Sequence, residues 1–315
     1  MDEIDSVNSA DFALSILVCT HNRSDLAARL LAVLIPQMEQ HPVELIVVDS
    51  ASEEAHRVAL AITLEQYPDA SLRLVQMEEK GLSLARNAGL DIAQAPWVGC
   101  IDDDEVPSPD WVVEALALIG RLPEDCGACG GVVRPDFQSH ADGNPTSEIG
   151  QRWRNFLGEI TMDGEFDQTE HPKFGAGHSL LRLSAVRQAG CFNRALGRDG
   201  KSLLSGEEVL LLIQLKSLGW RIWHSSRIWV LHDIEPDRLE RRWARDRSYW
   251  EGVSSARIRR ISGEKHPLLP AFAAALKTIP LIAMAPFAPA RLEADMRIAF
   301  NKGLVFETFR GLLKG

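Results

Sequence analysis

Short apolar runs alternate with helix-spaced segments through the first third of the chain, and this alternation limits the fold more than any other feature. The apolar runs fall at residues 14–19, 44–48, 72–77 and 97–101, and the helical spacing at 25–39, 55–67 and 82–93. Strand followed repeatedly by helix builds a mainly parallel sheet with helices on both faces, because each parallel crossover needs a connection long enough to hold a helix. Sheets of this kind bind ligands at the carboxyl ends of their strands. Three of those ends are polar here: Thr20, His21, Asn22 and Arg23 after the first run, Asp49, Ser50 and Ser52 after the second, and Asp102, Asp103, Asp104 and Glu105 after the fourth. Taken singly, residues such as Ser24, Asp25 or Ser52 serve well as turn or cap residues. Together the three ends describe one crevice and point to a nucleotide.

The acidic run is the most chemical of the three. Adjacent carboxylates at the end of a buried strand repel one another, and a divalent cation relieves that cost. Magnesium and manganese are typically held by one or two carboxylates, with substrate phosphates completing the shell. The alternative is a solvated acidic turn capping a helix that begins near Pro109.

Charge and cysteine content exclude other classes. A net charge of −10 over 315 residues argues against a nucleic-acid partner, although Arg241, Arg242, Arg245, Arg247, Arg257, Arg259 and Arg260 concentrate positive charge late in the chain. Five cysteines cannot all pair, and Cys126 and Cys129 lack the partners of a zinc site, so reduced, mostly buried thiols are expected. No secretory pattern opens the sequence, and a cytoplasmic location is expected. A dinucleotide oxidoreductase is disfavoured because residues 19–23 contain no glycine for a Gly-x-Gly-x-x-Gly turn. The same missing loop disfavours a sugar nucleotidyltransferase.

The segments SILVCTHNR at 15–23, ELIVVDSAS at 44–52, GLSLARNAG at 81–89 and IDDD at 101–104 resemble family 2 glycosyltransferases of the GT-A fold, a resemblance that continues to about residue 232. It implies an α/β, Rossmann-like architecture with a mixed, mainly parallel sheet flanked by helices. Residues 1–235 would form the catalytic domain, with a nucleotide-binding half at about 12–104 and an acceptor half at 105–235. A helical extension would follow at 236–315. By the same resemblance Asp49 hydrogen-bonds the base of a nucleoside-diphosphate sugar, Thr20, Asn22 and Arg23 surround the nucleoside, and Arg86 lies near the diphosphate. Asp102 and Asp104 form the DxD pair, with Asp103 between them beside the nucleotide. Asp104 contacts Mn2+ or Mg2+, Asp102 lies nearer ribose and metal, and His232 completes the metal site or contacts the diphosphate. A UDP-sugar is the favoured donor, although guanine and thymine also carry an N–H that Asp49 could accept.

The acceptor half keeps the family pattern with one departure. Gly175-Ala-Gly177 precedes a strand-like stretch at 178–183 that lines the sugar and acceptor pocket in relatives, and Ser205-Gly-Glu-Glu208 stands where relatives commonly carry Gly-Glu-Asp. Glu208 keeps a carboxylate at that place, one methylene further out. The resemblance makes it the catalytic base, with Glu207 orienting Glu208 or the acceptor. Both acids also suit the N-terminus of an apolar helix, where the dipole favours negative charge. One base on the acceptor face implies direct displacement with inversion at the anomeric carbon, so a metal-dependent inverting glycosyltransferase acting on a glycan or lipid-linked acceptor is expected, as in bacterial surface polysaccharide assembly. A non-catalytic nucleotide-sugar or carbohydrate-binding protein of the same fold is the alternative.

After His232 the chain changes character. Arginines and aromatics fill 236–260, and 268–290 is apolar except for Lys277 and is broken by Pro270, Pro280, Pro286 and Pro289. The prolines and Lys277 speak against a clean membrane span. A surface or re-entrant segment at the cytoplasmic face of the inner membrane is expected, against the alternative of a helical hairpin packed on the catalytic body. Residues 136–173, rich in turn formers, are expected to shape the acceptor site.

Overall fold

The structure, a computed structural model, describes residues 12–137, 154–200, 202–264, 268–284 and 291–313. Residues 138–153 of the turn-rich stretch expected at the acceptor site lie outside the described residues, as do Pro286 and Pro289.

The predicted alternation is present. Strands β1 (Leu14–Thr20), β2 (Val43–Ser50), β3 (Leu72–Met77) and β4 (Trp97–Asp102) are separated by helices α1 (Ser24–Met38), α2 (Glu54–Leu64) and α3 (Leu82–Ile92). The four strands pair in parallel in the order β3-β2-β1-β4, with Leu17 of β1 opposite Ile46 of β2 and Cys100 of β4. All seven residues of β1 and all eight of β2 are buried, as a parallel strand covered on both faces requires.

Beyond β4 the sheet turns mixed. A short β5 (Glu105–Pro107) leads into α4 (Trp111–Ile119), followed by β6 (Cys126–Asp136), β7 (Glu165–Asp167), β8 (His178–Arg182), α5 (Leu183–Gln188), α6 (Glu207–Ser217) and β9 (Arg221–Asp233). The order continues β4-β8-β6-β9-β5, with β8 antiparallel to both β4 and β6, β9 parallel to β6, and β7 paired on the side of β9. An α/β sheet, mainly parallel in its first half and flanked by helices, is therefore the architecture.

Alternate residues of β1 sort the core into two layers. Leu14, Ile16 and Val18 pack with α1, α2 and α4 on one face, and Leu17 and Cys19 pack with α3, α5 and α6 on the other. Truncating Leu14, Ile16 or Leu17 to alanine costs about 2–5 kcal/mol. Between β8 and α4 the buried Trp111 indole donates to His178 Nε2 at 2.8 Å. Burial, with His224 nearby, holds His178 down at about 3, so its ring stays neutral and accepts that bond. The five cysteines are free, four of them buried.

Three helices close the chain: α7 (Arg241–Ile261), α8 (Leu268–Met284) and α9 (Arg291–Leu312). α7 is fastened to the sheet and its helices by a small apolar cluster of Leu196, Leu204, Leu210 and Val253. Among the described residues no helix is long and apolar enough to cross a membrane.

Candidate active site

The polar strand ends meet as the parallel sheet dictates. A cleft of about 360 Å³ opens over the carboxyl ends of β1, β2 and β4, walled by Thr20, Arg23, Ser50, Asp102, Asp103 and Asp104, with His232 contributed by β9. Four basic and aromatic-ring groups from elsewhere complete its charge: Lys80, Arg198 and Arg238 join His232 on its walls.

The four acids of the run do not ionise alike. Glu105 is buried, and burial together with Asp102 and Asp104 holds its carboxyl well above the usual range. Asp103 is buried, accepts from Thr20 Oγ1 at 2.8 Å and from Arg23 at 3.3 Å, and is pushed up to about 7 by burial and by Asp104. Asp104 behaves oppositely. Burial would raise it too, but His232 Nε2 at 3.7 Å and the Arg238 and Arg23 guanidiniums, each at 3.1 Å, hold its carboxyl far below the usual range. Asp104 is thus the fixed anion of the run, and its cationic partners outnumber it.

Arg198 adds a cation with no carboxylate within ion-pair distance among the described residues. Burial, then Arg238 and Arg247, lower its guanidinium to about 10, which still leaves it charged at neutral pH. A half-buried cation repelled by its neighbours is stabilised by an incoming anion. The cleft therefore suits a diphosphate.

Several expected residues stand behind the wall. Asn22, at φ 54°, donates its backbone N–H to Ser52 Oγ at 2.8 Å and accepts from the Glu53 N–H at 2.7 Å, which ties the loop after β1 to the start of α2. Asparagine tolerates that left-handed backbone better than most residues. Asp49 is fully buried, accepts from the Ser52 N–H at 3.2 Å, and faces Arg57 Nε at 3.3 Å.

Arg86 is 2 % exposed and bridges two carboxylates, donating to Asp102 Oδ1 and to Glu207 Oε1, both at 2.8 Å. It joins the end of β4 to the first turn of α6. Glu207 is buried with its second oxygen unpartnered. Glu208, beside it, is partly exposed, and burial followed by the Glu207 charge pushes it up to about 8. A carboxyl tuned to that value is a stronger base, once ionised, than an ordinary glutamate.

The donor set of Asp102, Asp104 and His232, two carboxylates and one imidazole, fits a hard divalent cation in its chemistry. Asp102 keeps 35 % of its side chain exposed, and its Oδ2 fills the space over Gly177, where a Cβ would stand 2.3 Å away. Arg238 competes for the same atoms, donating to Asp104 Oδ2 at 3.1 Å and lying 3.0 Å from His232 Nε2. Among the described residues no group of three such side chains already stands in coordinating arrangement.

Sequence reading thus placed Thr20, Arg23, Asp102, Asp103, Asp104 and His232 at the cleft and missed Lys80, Arg198 and Arg238. Arg238 belongs to the basic stretch that composition assigned to a membrane surface. Arg198 sits in a turn-rich loop with no periodicity to mark it.

The glycosyl transferase family 2 model matches residues 15–187, more than half of the chain. A glucosyl-dolichyl phosphate glucuronosyltransferase of Haloferax volcanii is 26% identical over 251 residues, covering 76% of this chain and 75% of that protein. The succinoglycan biosynthesis protein ExoM of Rhizobium meliloti is 26% identical over 255 residues, 78% of this chain and 74% of that one. Among solved structures, a mannosyltransferase of Pyrobaculum calidifontis in complex with GDP-Man and Mn2+ superposes with a TM-score of 0.61 at 18% identity, covering 95% of this chain and 88% of that chain, a likeness of fold.

Proposed function

The chain belongs to glycosyl transferase family 2 and is a glycosyltransferase, and from that premise we propose that it moves a sugar, with inversion, from a nucleoside-diphosphate sugar to an acceptor hydroxyl. The observation that carries this reading is the meeting, in one cleft, of the aspartates at the end of β4 with Arg23, Arg198 and Arg238, joined through Arg86 to the helix that bears Glu208.

The residues divide the work. Arg23, Lys80, Arg198 and Arg238 hold the diphosphate and stabilise the charge that grows on it as the sugar leaves, an effect magnified in a water-poor site. Asp49 receives the N–H of the base once Arg57 swings away from it. Glu208 takes the proton of the attacking hydroxyl as the new C–O bond forms, and direct attack on the face opposite the diphosphate inverts the anomeric carbon. A divalent cation held by Asp102, Asp104 and His232 would supply Lewis-acid neutralisation of the diphosphate. We divide the chain near residue 235, with the helices beyond serving the acceptor.

Relatives named for dolichyl phosphate and for succinoglycan synthesis support a lipid-linked or glycan acceptor. So do the exposed apolar side chains of α8 and α9, Leu269, Phe272 and Phe309, carried on helices that also expose Lys277 and Arg310. Such helices, basic and apolar together, suit an anionic lipid surface. Sedimentation with phosphatidylglycerol vesicles checks it: Phe272→Ser should weaken association several-fold, and unchanged association removes these side chains from the reading.

The deciding experiment is a calorimetric titration with UDP, GDP and dTDP, each with and without manganese, repeated on Asp104→Ala. Binding of one nucleotide that manganese strengthens and Asp104→Ala abolishes is expected. Absence of binding by all three would sink the donor assignment.

A further inference from the structure

A second concavity lies between the C-terminal helices, away from the strand ends. Helices α7 and α9 approach to backbone contact: a Cβ on Gly252 would stand 2.0 Å from the Phe300 carbonyl oxygen, and one on Gly303 2.0 Å from that of Tyr249. Only glycine permits so close a crossing. Beside the crossing is a hollow of about 510 Å³, lined by Arg245, Asp246, Tyr249, Asp295 and Lys302 among others. A neighbouring hollow of about 270 Å³, with Ser202, Leu203 and Trp250 on its walls, shares Asp246 and Tyr249 with the first. The shared walls make one groove, within the ~300–1,000 Å³ range of ligand sites.

The inner end of the groove is fixed to the catalytic loop. Arg247 on α7 donates to the Leu203 carbonyl at 3.0 Å and to Ser205 Oγ at 2.9 Å, and the Ser205 N–H donates to Ser254 Oγ at 3.1 Å. Ser205 leads directly into Gly206, Glu207 and Glu208. A ligand lying along α7 and α9 therefore ends beside the loop that carries the base.

The lining selects the ligand. Tyr249 and Trp250 are half-buried and meet edge to face, with ring centroids 5.7 Å apart at 86°. Among the described residues neither the Tyr249 hydroxyl nor the Trp250 indole N–H has a hydrogen-bond partner, and Asp295 and Lys302 have no ion-pair partner. Two cations, Arg245 and Lys302, are matched by two carboxylates, Asp246 and Asp295, and Asp246 already pairs with Arg245 at 3.7 Å and with Arg242 at 3.8 Å. The carboxylates disfavour a polyanion, and a purely apolar ligand would leave Asp295 and Lys302 without partners. Aromatic surface beside the unpaired Asp295 carboxylate and free N–H donors, with no net charge, complements a sugar: the C–H face of a pyranose covers the ring, and a hydroxyl donates to Asp295.

We propose that this groove binds a neutral oligosaccharide, the sugar units of the acceptor that precede the reacting hydroxyl. The proposal rests on the transferase reading, which it deepens by naming the acceptor class. The groove then sets acceptor length and register, while Glu208 sees only the terminal unit.

Saturation-transfer NMR on the full chain, with cellotetraose and α-1,2-mannotetraose as neutral probes, tests it, and UDP and GDP are titrated into the same sample. Saturation of ring C–H protons of a tetrasaccharide is expected. Asp295→Ala should lower its affinity roughly tenfold, the loss of one charge-assisted hydrogen bond, and Trp250→Ala by at least as much. Trp250 also packs against the Leu204 and Val253 cluster, so the Asp295 variant gives the cleaner reading. Nucleotide binding with no signal from either tetrasaccharide overturns the groove and leaves the donor site standing. A signal indifferent to both substitutions also overturns it, because the sugar then sits elsewhere. If neither nucleotide nor sugar binds, the transferase reading and the groove fall together.

Discussion

The two sides of the sheet carry their chemistry in different ways. On the β3-β2-β1-β4 side the acids and hydroxyls stand at the ends of the strands that position them: Thr20 on β1, Ser50 on β2, Asp102 on β4. On the β8-β6-β9 side His232 stands on β9, and the other working groups arrive on connections. Arg198 comes from the loop before α6, Glu207 and Glu208 from the helix start, and Arg238 from the short 3-10 turn Pro236–Leu239. The parallel half is a rigid receptor, set once its strands pair. The mixed half is assembled by tertiary contacts, and Arg86 is the clamp between the halves. Substitutions at strand ends should therefore weaken donor binding, whereas substitutions at the start of α6 should act on turnover and those of the delivered cations on the diphosphate.

The largest expected effect breaks the halves apart. Glu208→Gln should lower transfer by about 10²–10⁴-fold, the usual worth of a general base, with nucleotide affinity unchanged in calorimetry. A parallel loss of nucleotide affinity would show that the two sides are not separable.

Arg198→Gln should come next and should sharpen the division from the other direction. Arg198 has no carboxylate within ion-pair distance among the described residues, so its removal strands no buried acid, and the melting temperature should hold. Nucleoside-diphosphate affinity should drop roughly tenfold, as expected for one lost charge-assisted hydrogen bond. Nucleoside affinity, measured with uridine or guanosine, should not move. An equal loss for nucleoside and diphosphate would place Arg198 away from the phosphates.

This division also explains what the sequence disclosed. Strand ends on a parallel sheet are local facts: an apolar run followed by Asp102, Asp103 and Asp104 reads as a ligand-facing edge from spacing alone, and the first four strands lie where the periodicity places them. The ionisation within that run is not local. Burial and the neighbouring Asp104 hold Asp103 up at about 7 against Arg23 and Thr20, whereas Asp104 is held far down by His232, Arg238 and Arg23, all of them distant in the chain. The resemblance puts Arg86 near a diphosphate, and GLSLARNAG marks its helix but not what its guanidinium meets. Its partner Glu207 is 121 residues away. The groove between α7 and α9 was equally hidden, since arginines and aromatics at 241–250 look alike whether they face lipid, sugar or water.

The smallest effect tests the clamp itself, through Glu207→Gln. Glutamine keeps the shape and can still accept from Arg86 through its carbonyl oxygen, so the bridge to Asp102 persists. What disappears is the negative charge beside Glu208. Burial and that charge together hold Glu208 at about 8; removing the charge lowers it, and Arg86, now less neutralised, acts in the same sense. The base works only when ionised. In the native protein kcat should therefore rise with pH through about 8, and in Glu207→Gln that rise should move to lower pH by about one unit, equivalent to ~1.4 kcal/mol. The plateau above it should fall slightly, because a less basic carboxylate pulls less strongly on the acceptor proton. A purely structural role for Glu207 would lower kcat at every pH and leave the midpoint in place. A midpoint that moves while nucleotide affinity holds would locate the tuning of the base on the delivered side of the clamp.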